Sequence, residues 1–265
     1  MKLSEDANWA HKFPEEDVLD LPVEHFGKTI QLKSYRYPPK EFRKAVVFKM
    51  HGYGSYSNYN AALAKSLADN NYEVFAIDQR CFGFSEGDRA IIQNKEDVYS
   101  DQWLMIFEAI KKFKIDQQKT PIFLFGRSFG GLLATNMASG PIASALFSGI
   151  AVLTPYYHLW TEKLYEARTF LRVLDTVHPN YVIPSALKER DPEWKKSYQY
   201  LDDDPTYVQF LTARTGMMWI EEQERYEEIL KETDIPFLFI EAEKDETVSN
   251  THIRAAYESA KEAGK

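Results

Sequence analysis

The chain has 265 residues, of which 44% are hydrophobic and 14% aromatic, and its formal net charge is −8. This length and composition exclude a disordered protein and leave room for a sizeable folded core in one α/β unit. The acidic balance, with no basic run, argues against nucleic acid as the main partner.

Strand and helix patterns alternate along most of the chain. Strands are predicted over residues 29–36, 45–50, 72–77, 121–125, 149–153 and 236–240. Helical periodicity is found around residues 63–67 and over residues 98–113, 132–138 and 250–263. Strands that alternate with helices predict an α/β fold with a mostly parallel sheet and helices on both faces.

This alternation stops between residues 155 and 233, where the sequence is polar and is predicted to be helical. One amphipathic stripe is predicted from four apolar residues: Leu164, Leu171, Leu174 and Val177. A segment inserted between two sheet strands is expected to cover the carboxyl ends of the strands, where α/β folds bind ligands. The predicted organisation is a core of residues 1–154 and 234–265, the second part incomplete at its C-terminal end, with a helical cap of residues 155–233.

A G-x-S-x-G sequence at residues 126–130 joins the 121–125 strand to the helix that follows. In a nucleophile elbow, this sharp turn lifts the serine hydroxyl above the sheet, and the glycines leave room for it. Ser128 is therefore the predicted nucleophile. An ordinary strand-to-helix turn with a coincidental serine fits the same residues.

A glycine-containing turn at residues 51–57 follows the 45–50 strand. Acyl transfer places negative charge on the carbonyl oxygen, so the site needs backbone N–H donors that are fixed in advance. The predicted donors are the N–H groups of Tyr53 and of Phe129, the residue after the nucleophile. A tight turn with no such role is the alternative. His51 is predicted to be a structural hydrogen-bonding residue below the site rather than a base.

Asp245, in the loop after the 236–240 strand, is the predicted acid that orients a catalytic imidazole. Glu241 and Glu243 are competing acids, and a solvated loop carboxylate also fits. This fold uses the order serine, acid, histidine, and ordinary element lengths place the histidine roughly 25–30 residues after Asp245. That position is beyond Lys265. His252 lies on a predicted helix only seven positions after Asp245, which makes it a poor candidate for the base.

From about residue 29 to its end, the chain resembles α/β-hydrolases of the monoacylglycerol lipase-like (serine aminopeptidase S33, lysophospholipase) group. The resemblance rests on residues 51–54, 78–87 and 245–248 and on the Ser128 turn. Residues 78–87 are the most specific, because this group carries an Asp, a Gly and then Ser-Glu-Gly there. The group usually has a histidine at the position of Phe82 and small residues at that of Tyr53. These two differences are expected to alter the pocket without abolishing catalysis.

The resemblance implies the α/β-hydrolase fold and a serine esterase that forms an acyl-enzyme on Ser128, with a monoacylglycerol or lysophospholipid-like lipid as substrate. Acyl transfer by a serine needs no cofactor, and no metal-binding cluster is apparent in the sequence. The cap is expected to admit one acyl chain and to contact a membrane peripherally. Four residues are candidates for its lining: Tyr156, Trp160, Met217 and Met218. Plain core packing fits these four residues as well.

Two hypotheses account for the absent base. In the first, the protein is an active ester hydrolase whose natural chain extends past Lys265 to supply a last strand and the histidine. In the second, it is a hydrolase-like binding or assembly subunit, and a partner covers the sheet edge beside residues 236–240. The intact Gly52, Ser128 and Asp245 favour the first hypothesis.

An intracellular protein, cytoplasmic or peripheral to a membrane, is expected from three features of the sequence. The single cysteine, Cys81, fits a reducing compartment. The first ten residues lack the apolar core of a signal peptide. No stretch approaches the length of a membrane-spanning helix.

Overall fold

A computed structural model describes residues 13–59, 61–159, 163–184 and 204–264. The strands are β1 (Val18–His25), β2 (Lys28–Tyr37), β3 (Ala45–Met50), β4 (Tyr72–Ile77), β5 (Ile122–Arg127), β6 (Gly149–Leu153), β7 (Val182–Pro184), β8 (Phe210–Thr212) and β9 (Phe237–Ile240). The α-helices are α1 (Ala61–Asp69), α2 (Lys95–Lys112), α3 (Phe129–Asn136), α4 (Pro141–Leu146), α5 (Lys163–Glu166), α6 (Arg168–Val177), α7 (Ala213–Gln223), α8 (Tyr226–Glu232) and α9 (Asn250–Glu262).

The main sheet has seven strands in the order β1-β2-β4-β3-β5-β6-β9. β1 and β2 form an antiparallel hairpin, and β2 also pairs antiparallel with β4. The other five strands of this sheet run parallel to one another, in the order β4-β3-β5-β6-β9. β3 lies at the centre and is buried along its whole length, as expected of a parallel strand covered on both faces. The prediction of a mostly parallel sheet is confirmed.

Helices pack on both faces of this sheet, as predicted. On one face, α2 buries Val98, Met105 and Ile106 against Phe48. On the other face, Ala64 of α1 packs in a separate cluster that includes Val47. Alternate residues of β3 therefore serve different cores. Val46, Phe48 and Met50 face the α2 side of the sheet, whereas Val47 faces the α1 side.

The register of the parallel strands places two chain turns side by side. Met50, the last residue of β3, is paired with Gly126 on β5. The loop that begins at residue 51 and the turn that carries Ser128 therefore leave the sheet at adjacent positions. Both turns lie at the carboxyl edge of the sheet, where open α/β folds bind their ligands.

The segment of residues 155–233, called the inserted segment below, lies between β6 and β9 and contains α5, α6, β7, β8, α7 and α8. It meets the core at the loop after β3, where the Val208 N–H donates to the Gly54 carbonyl over 2.8 Å. A Cβ atom on Gly54 would lie 2.2 Å from the Val208 oxygen. Only glycine permits this approach between the two backbones.

Three features differ from the predictions. The hairpin strand β1 and the small antiparallel sheet of β7 and β8 were not predicted, so the inserted segment is not purely helical. Leu171 is buried, but Val177 is 71% exposed. The prediction that both belong to one apolar stripe was therefore wrong for Val177. The side chain of Leu164 lies outside the described residues.

β9 is an edge strand within the described part of the chain. It pairs with β6 on one side, and no described strand pairs with it on the other. Leu238 and Ile240 are 58% and 39% exposed. Among the described residues, no helix has the length and apolar character needed to cross a membrane.

Candidate active site

The turn from β5 into α3 holds Ser128 in an unusual backbone conformation, with φ 52° and ψ −119°. Its N–H donates to the Leu153 carbonyl over 2.9 Å, and its own carbonyl accepts from the Tyr156 N–H over 2.9 Å. A Cβ atom on Gly126 would lie 2.1 Å from the Gly130 oxygen. The backbone therefore has the geometry that the G-x-S-x-G sequence indicates, while the role of Ser128 as nucleophile stays a prediction.

The loop after β3 lies directly against this serine. A Cβ atom on Gly52 would lie 3.4 Å from the Cβ of Ser128 and 3.9 Å from its Oγ. Neither the Tyr53 N–H nor the Phe129 N–H donates a hydrogen bond to a described residue. Two backbone donors that bond to no described acceptor, next to a serine hydroxyl, match what an oxyanion site requires.

His51 lies at the start of this loop and is buried. Its Nδ1–H donates to the Gly52 carbonyl over 2.8 Å, and its Nε2 accepts from the Gln79 N–H over 3.0 Å. Burial lowers the pKa of His51 to about 3, so the ring is neutral across the physiological range. Both ring nitrogens are used in holding the loop, which supports a structural role and leaves none free to act as a base.

Asp245 organises the loop between β9 and α9. Its Oδ1 accepts from the N–H groups of Thr247 and Val248 over 2.7 and 2.9 Å. An antiparallel bridge between Leu159 and Val248 ties this loop to the chain that leaves β6. Of the competing acids, Glu241 is paired with Arg254, and Glu243 is exposed. Asp245 is therefore the acid that shapes the loop.

Two histidines lie near this loop. The ring of His252, at the start of α9, stacks on that of His158 with 4.1 Å between centroids, and His158 stacks in turn on Tyr165 at 4.1 Å. His252 Nδ1 also lies 2.8 Å from Ser249 Oγ. Within the described ranges, no histidine side chain hydrogen-bonds to Ser128 Oγ or to the Asp245 carboxylate.

Three of the four predicted lining residues can be placed. Tyr156 and Met218 are partly buried and pack against the main core. Met217 is buried with Leu171 and Ile220 inside the inserted segment, so its contacts are those of core packing. Trp160 lies outside the described residues.

Most of this chain matches the model of one protein family. The model of the family described as serine aminopeptidase, S33, matches residues 41–265. The chain belongs to this family. Its resemblance to monoacylglycerol lipase-like proteins is also confirmed. It is 26% identical to human monoglyceride lipase over 237 residues, which cover 86% of this chain and 74% of that one.

Solved structures show that this S33 chain has the α/β-hydrolase fold. It superposes with a TM-score of 0.74 on a soluble variant of monoglyceride lipase from Saccharomyces cerevisiae, in complex with a substrate analog, at 18% identity and with 91% and 81% of the two chains covered. The TM-score is 0.76 with a thermostable carboxyl esterase from Bacillus coagulans, in complex with glycerol, at 15% identity and with 93% and 87% covered.

The two positions at which this S33 chain departs from the expected pattern lie together. The rings of Tyr53 and Phe82 meet edge to face with 5.2 Å between centroids. Tyr53 also lies 6.0 Å from Phe129, and Phe129 lies 4.2 Å from Trp219 on α7. The Tyr53 hydroxyl donates to the Phe210 carbonyl over 3.1 Å. The two substitutions therefore form one aromatic wall that joins the loop after β3 to the inserted segment.

Sequence reasoning missed two basic residues, one near the end of β3 and one at the end of β5. Lys49 on β3 is buried, and its ammonium donates to the Ser57 carbonyl over 2.5 Å. Arg127, the residue before Ser128, lies over the ring of Tyr59 at 5.5 Å. In the sequence, each is a single charge at the end of an apolar run, which reads as the solvent-exposed end of a strand.

Proposed function

We propose that this protein is a serine hydrolase that cleaves carboxylic esters through an acyl-enzyme on Ser128. The observation that carries the proposal is the backbone of Ser128, held at φ 52° and ψ −119° against the Gly52 turn. A non-glycine residue keeps such a conformation only where the surrounding structure imposes it, and these residues cluster at functional sites. Membership of the S33 serine aminopeptidase family supports a serine nucleophile, and the similarity to monoglyceride lipases supports an ester substrate.

In the proposed mechanism, Ser128 Oγ attacks the ester carbonyl carbon, and the carbonyl oxygen becomes an oxyanion. The N–H groups of Tyr53 and Phe129 donate to that oxygen, which lowers the barrier because both are already fixed. The Oγ proton passes to a base and from it to the departing alcohol, and water then releases the acid from Ser128. A histidine oriented by Asp245 is the base that fits the serine, acid, histidine order of this fold.

The proposed substrate is an ester of a single acyl chain, such as a monoacylglycerol or a lysophospholipid-like lipid. This proposal is supported by the monoglyceride lipases that the chain resembles. The inserted segment is proposed to act as a cap, because Val208 and Phe210 contact the loop beside Ser128. Tyr156 and Met218 are proposed to line the acyl-chain site between the cap and the core.

Labelling with a fluorophosphonate probe tests the nucleophile. We expect the probe to modify the wild-type protein and Ser144→Ala, an exposed serine on α4, but not Ser128→Ala. Hydrolysis of a 4-nitrophenyl ester and of a monoacylglycerol should fall by about four to six orders of magnitude in Ser128→Ala. Absence of labelling in the wild-type protein would contradict the proposed function.

A second candidate function is a binding or assembly subunit. It is favoured by the exposed edge of β9 and by the absence, in the described part of the chain, of a histidine bonded to Ser128. A partner strand added to β9 would pair with the side of that strand on which no described strand lies. A wild-type protein that resists the probe and purifies in a stable complex, from which Leu238→Lys is released, would establish this second function.

Peripheral membrane contact through α6 is also proposed. Phe170, Val173 and Val177 recur at helical spacing on this helix and are 64%, 55% and 71% exposed. An apolar face on a surface helix can bury itself at the lipid interface. We expect phosphatidylcholine vesicles to retain the wild-type protein and to lose Phe170→Ser/Val177→Ser. A matched control is Ile142→Ser, which removes an equally exposed residue of α4, and equal retention of all three proteins would exclude the contact.

A further inference from the structure

The loop of residues 51–59, called the oxyanion loop below, is fixed at three places. Its start is held by the pairing of His51 with Gln79. Its tip is held by the hydrogen bond from Val208 to Gly54. The third anchor is at Ser57, on the side of the loop that returns toward α1.

Both backbone groups of Ser57 are held by buried charged side chains. The Ser57 N–H donates to Asp78 Oδ1 over 2.6 Å, and the Ser57 carbonyl accepts from Lys49 Nζ over 2.5 Å. Asp78 follows β4, and its second oxygen accepts from the Phe84 N–H over 2.9 Å. Lys49 is the penultimate residue of β3. Its side chain therefore connects β3, which leads into the oxyanion loop, to Ser57, near the end of that loop.

An ammonium at this position is unfavourable unless it is compensated. Lys49 and Asp78 are both fully buried, and Val47 and Phe125 lie in the apolar cluster on the same face of the sheet. Taking a charge out of water destabilises the folded state unless a partner offsets it. The negative charge of Asp78, which binds the same residue Ser57, favours the ammonium electrostatically. An apolar side chain would fill the same space without needing this compensation. The proposed chemical steps do not use Lys49.

We propose that Lys49 is a positioning residue that fixes the oxyanion loop from below and thereby sets the Tyr53 N–H against Ser128. The inference rests on the proposed function, because Tyr53 matters only where an oxyanion forms. The charged and titratable groups that face Lys49 are Asp78 after β4, Arg127 on β5 and His51 at the start of the loop.

The protonation of Lys49 adds a pH dependence. Burial lowers its pKa to about 8; Asp78 raises it and Arg127 lowers it further. Below about pH 8 the ammonium balances Asp78 and holds Ser57. Above that pH the amine is neutral, and the Asp78 carboxylate keeps its hydrogen bonds but loses the nearby positive charge. We therefore expect kcat to fall as the pH rises through about 8 in the wild-type enzyme.

The test compares the wild-type protein, Lys49→Met and Lys44→Met, which removes an exposed lysine just before β3. Hydrogen exchange is measured on peptides from the oxyanion loop, and kcat and KM on a 4-nitrophenyl ester. We expect faster exchange of the loop and a kcat about 10- to 100-fold lower in Lys49→Met, with KM within about twofold. The alkaline fall in kcat should also disappear, and Lys44→Met should match the wild type in every measurement.

Exchange of the oxyanion loop at the wild-type rate in Lys49→Met would overturn the inference, whether or not the protein is an enzyme. An unchanged kcat would also overturn it. If Lys49→Met does not fold, Lys49→Met/Asp78→Asn removes both buried charges and keeps an acceptor for the Ser57 N–H. The same fast exchange is then expected. A wild-type protein that resists the fluorophosphonate probe would contradict the proposed function alone, because the exchange measurement needs no catalysis.

Discussion

Buried polar residues with hydrogen-bond partners on two sides hold the backbone around Ser128. His51 bonds to Gly52 with one ring nitrogen and to Gln79 with the other. Asp78 bonds to Ser57 with one oxygen and to Phe84 with the other. A buried polar group that lost one of these partners would be left unsatisfied, at a cost of about 1–3 kcal/mol. This penalty makes each contact effective in fixing a loop position.

The neutral ring of His51 gives the fold a defined pH dependence. Its pKa is about 3 in the folded protein, because of burial, and about 6.5 in the unfolded chain. As the pH falls, His51 is therefore protonated in the unfolded chain before it is protonated in the folded protein. The stability from His51 is complete above pH 6.5 and is lost as the pH falls toward 3. The loss is about 1.4 kcal/mol per pH unit, or about 2 kcal/mol at pH 5.

Urea unfolding at pH 7 and pH 5 measures this effect. In His51→Gln, which does not titrate, we expect the loss of unfolding free energy between these pH values to be about 2 kcal/mol smaller than in the wild type. The control is His178→Gln, an exposed histidine of the inserted segment, which should keep the wild-type pH dependence. An equal loss of unfolding free energy in the wild type and in His51→Gln would show that the His51 ring is also protonated in the folded state at pH 5.

The sequence predicted a residue's role where the residues that define the role are close together in the chain. The turn at Ser128 was predictable because its glycines and serine are consecutive, and the clash at Gly126 lies within the same turn. The role of Lys49 was not predictable, because its partner Ser57 and the charge at Asp78 meet only after β3 and β4 pair. Nothing in the strand sequence distinguishes a buried lysine from an exposed one.

At the scale of elements, a buried carboxylate joins the inserted segment to the helix that starts directly after Ser128. Glu222 on α7 accepts from the Tyr99 hydroxyl over 2.5 Å and from Asn136, at the end of α3, over 3.1 Å. It is also paired with Lys95 at 2.8 Å and Arg225 at 2.7 Å. Burial opposes its charge, but the bonds from Lys95 and Tyr99 outweigh this and hold the pKa of Glu222 below its usual range.

Substitution Glu222→Gln removes the charge and keeps the size of the side chain. We expect it to lower the free energy of unfolding by about 2 kcal/mol, because two cations and the Tyr99 hydroxyl lose their charged acceptor. Urea denaturation measures the change. Glu221→Gln, the half-exposed neighbour on α7, should stay within about 0.5 kcal/mol of the wild type. A Glu222→Gln protein as stable as this control would show that the cluster does not anchor the inserted segment.

Clear hydrophobic patterns made the core elements predictable, and the lack of such a pattern hid the other elements. β3 and β6 begin and end at the predicted residues, since a strand covered on both faces is a short, continuous apolar run. β7 and β8 have only three residues each, too few to show alternation. Val177 comes six positions after Leu171, about 240° further around the helix, so it lies with Phe170 and Val173 on the exposed face of α6. The partners of a helix decide which of its two apolar faces is buried.

At the scale of the whole molecule, net charge and the sheet edge have opposite effects on self-association. The charge of −8 at pH 7 makes molecules repel, while β9, which has no described strand on its outer side, offers an edge beside the exposed Leu238 and Ile240. The isoelectric point is about 5.4, so this repulsion vanishes on mild acidification. The state of association should therefore depend on pH.

We expect sedimentation velocity to show more self-association of the wild-type protein at pH 5.4 than at pH 7.5, since only the edge contact remains once the repulsion is lost. Leu238→Lys places a charge on the edge and should reduce this association. Ile142→Lys makes the same change in net charge at a residue that is 61% exposed, compared with 58% for Leu238, but lies on α4 away from the edge. It should associate nearly as the wild type does. If both variants dissociate equally, net charge alone controls association; if neither does, the contact lies on another surface.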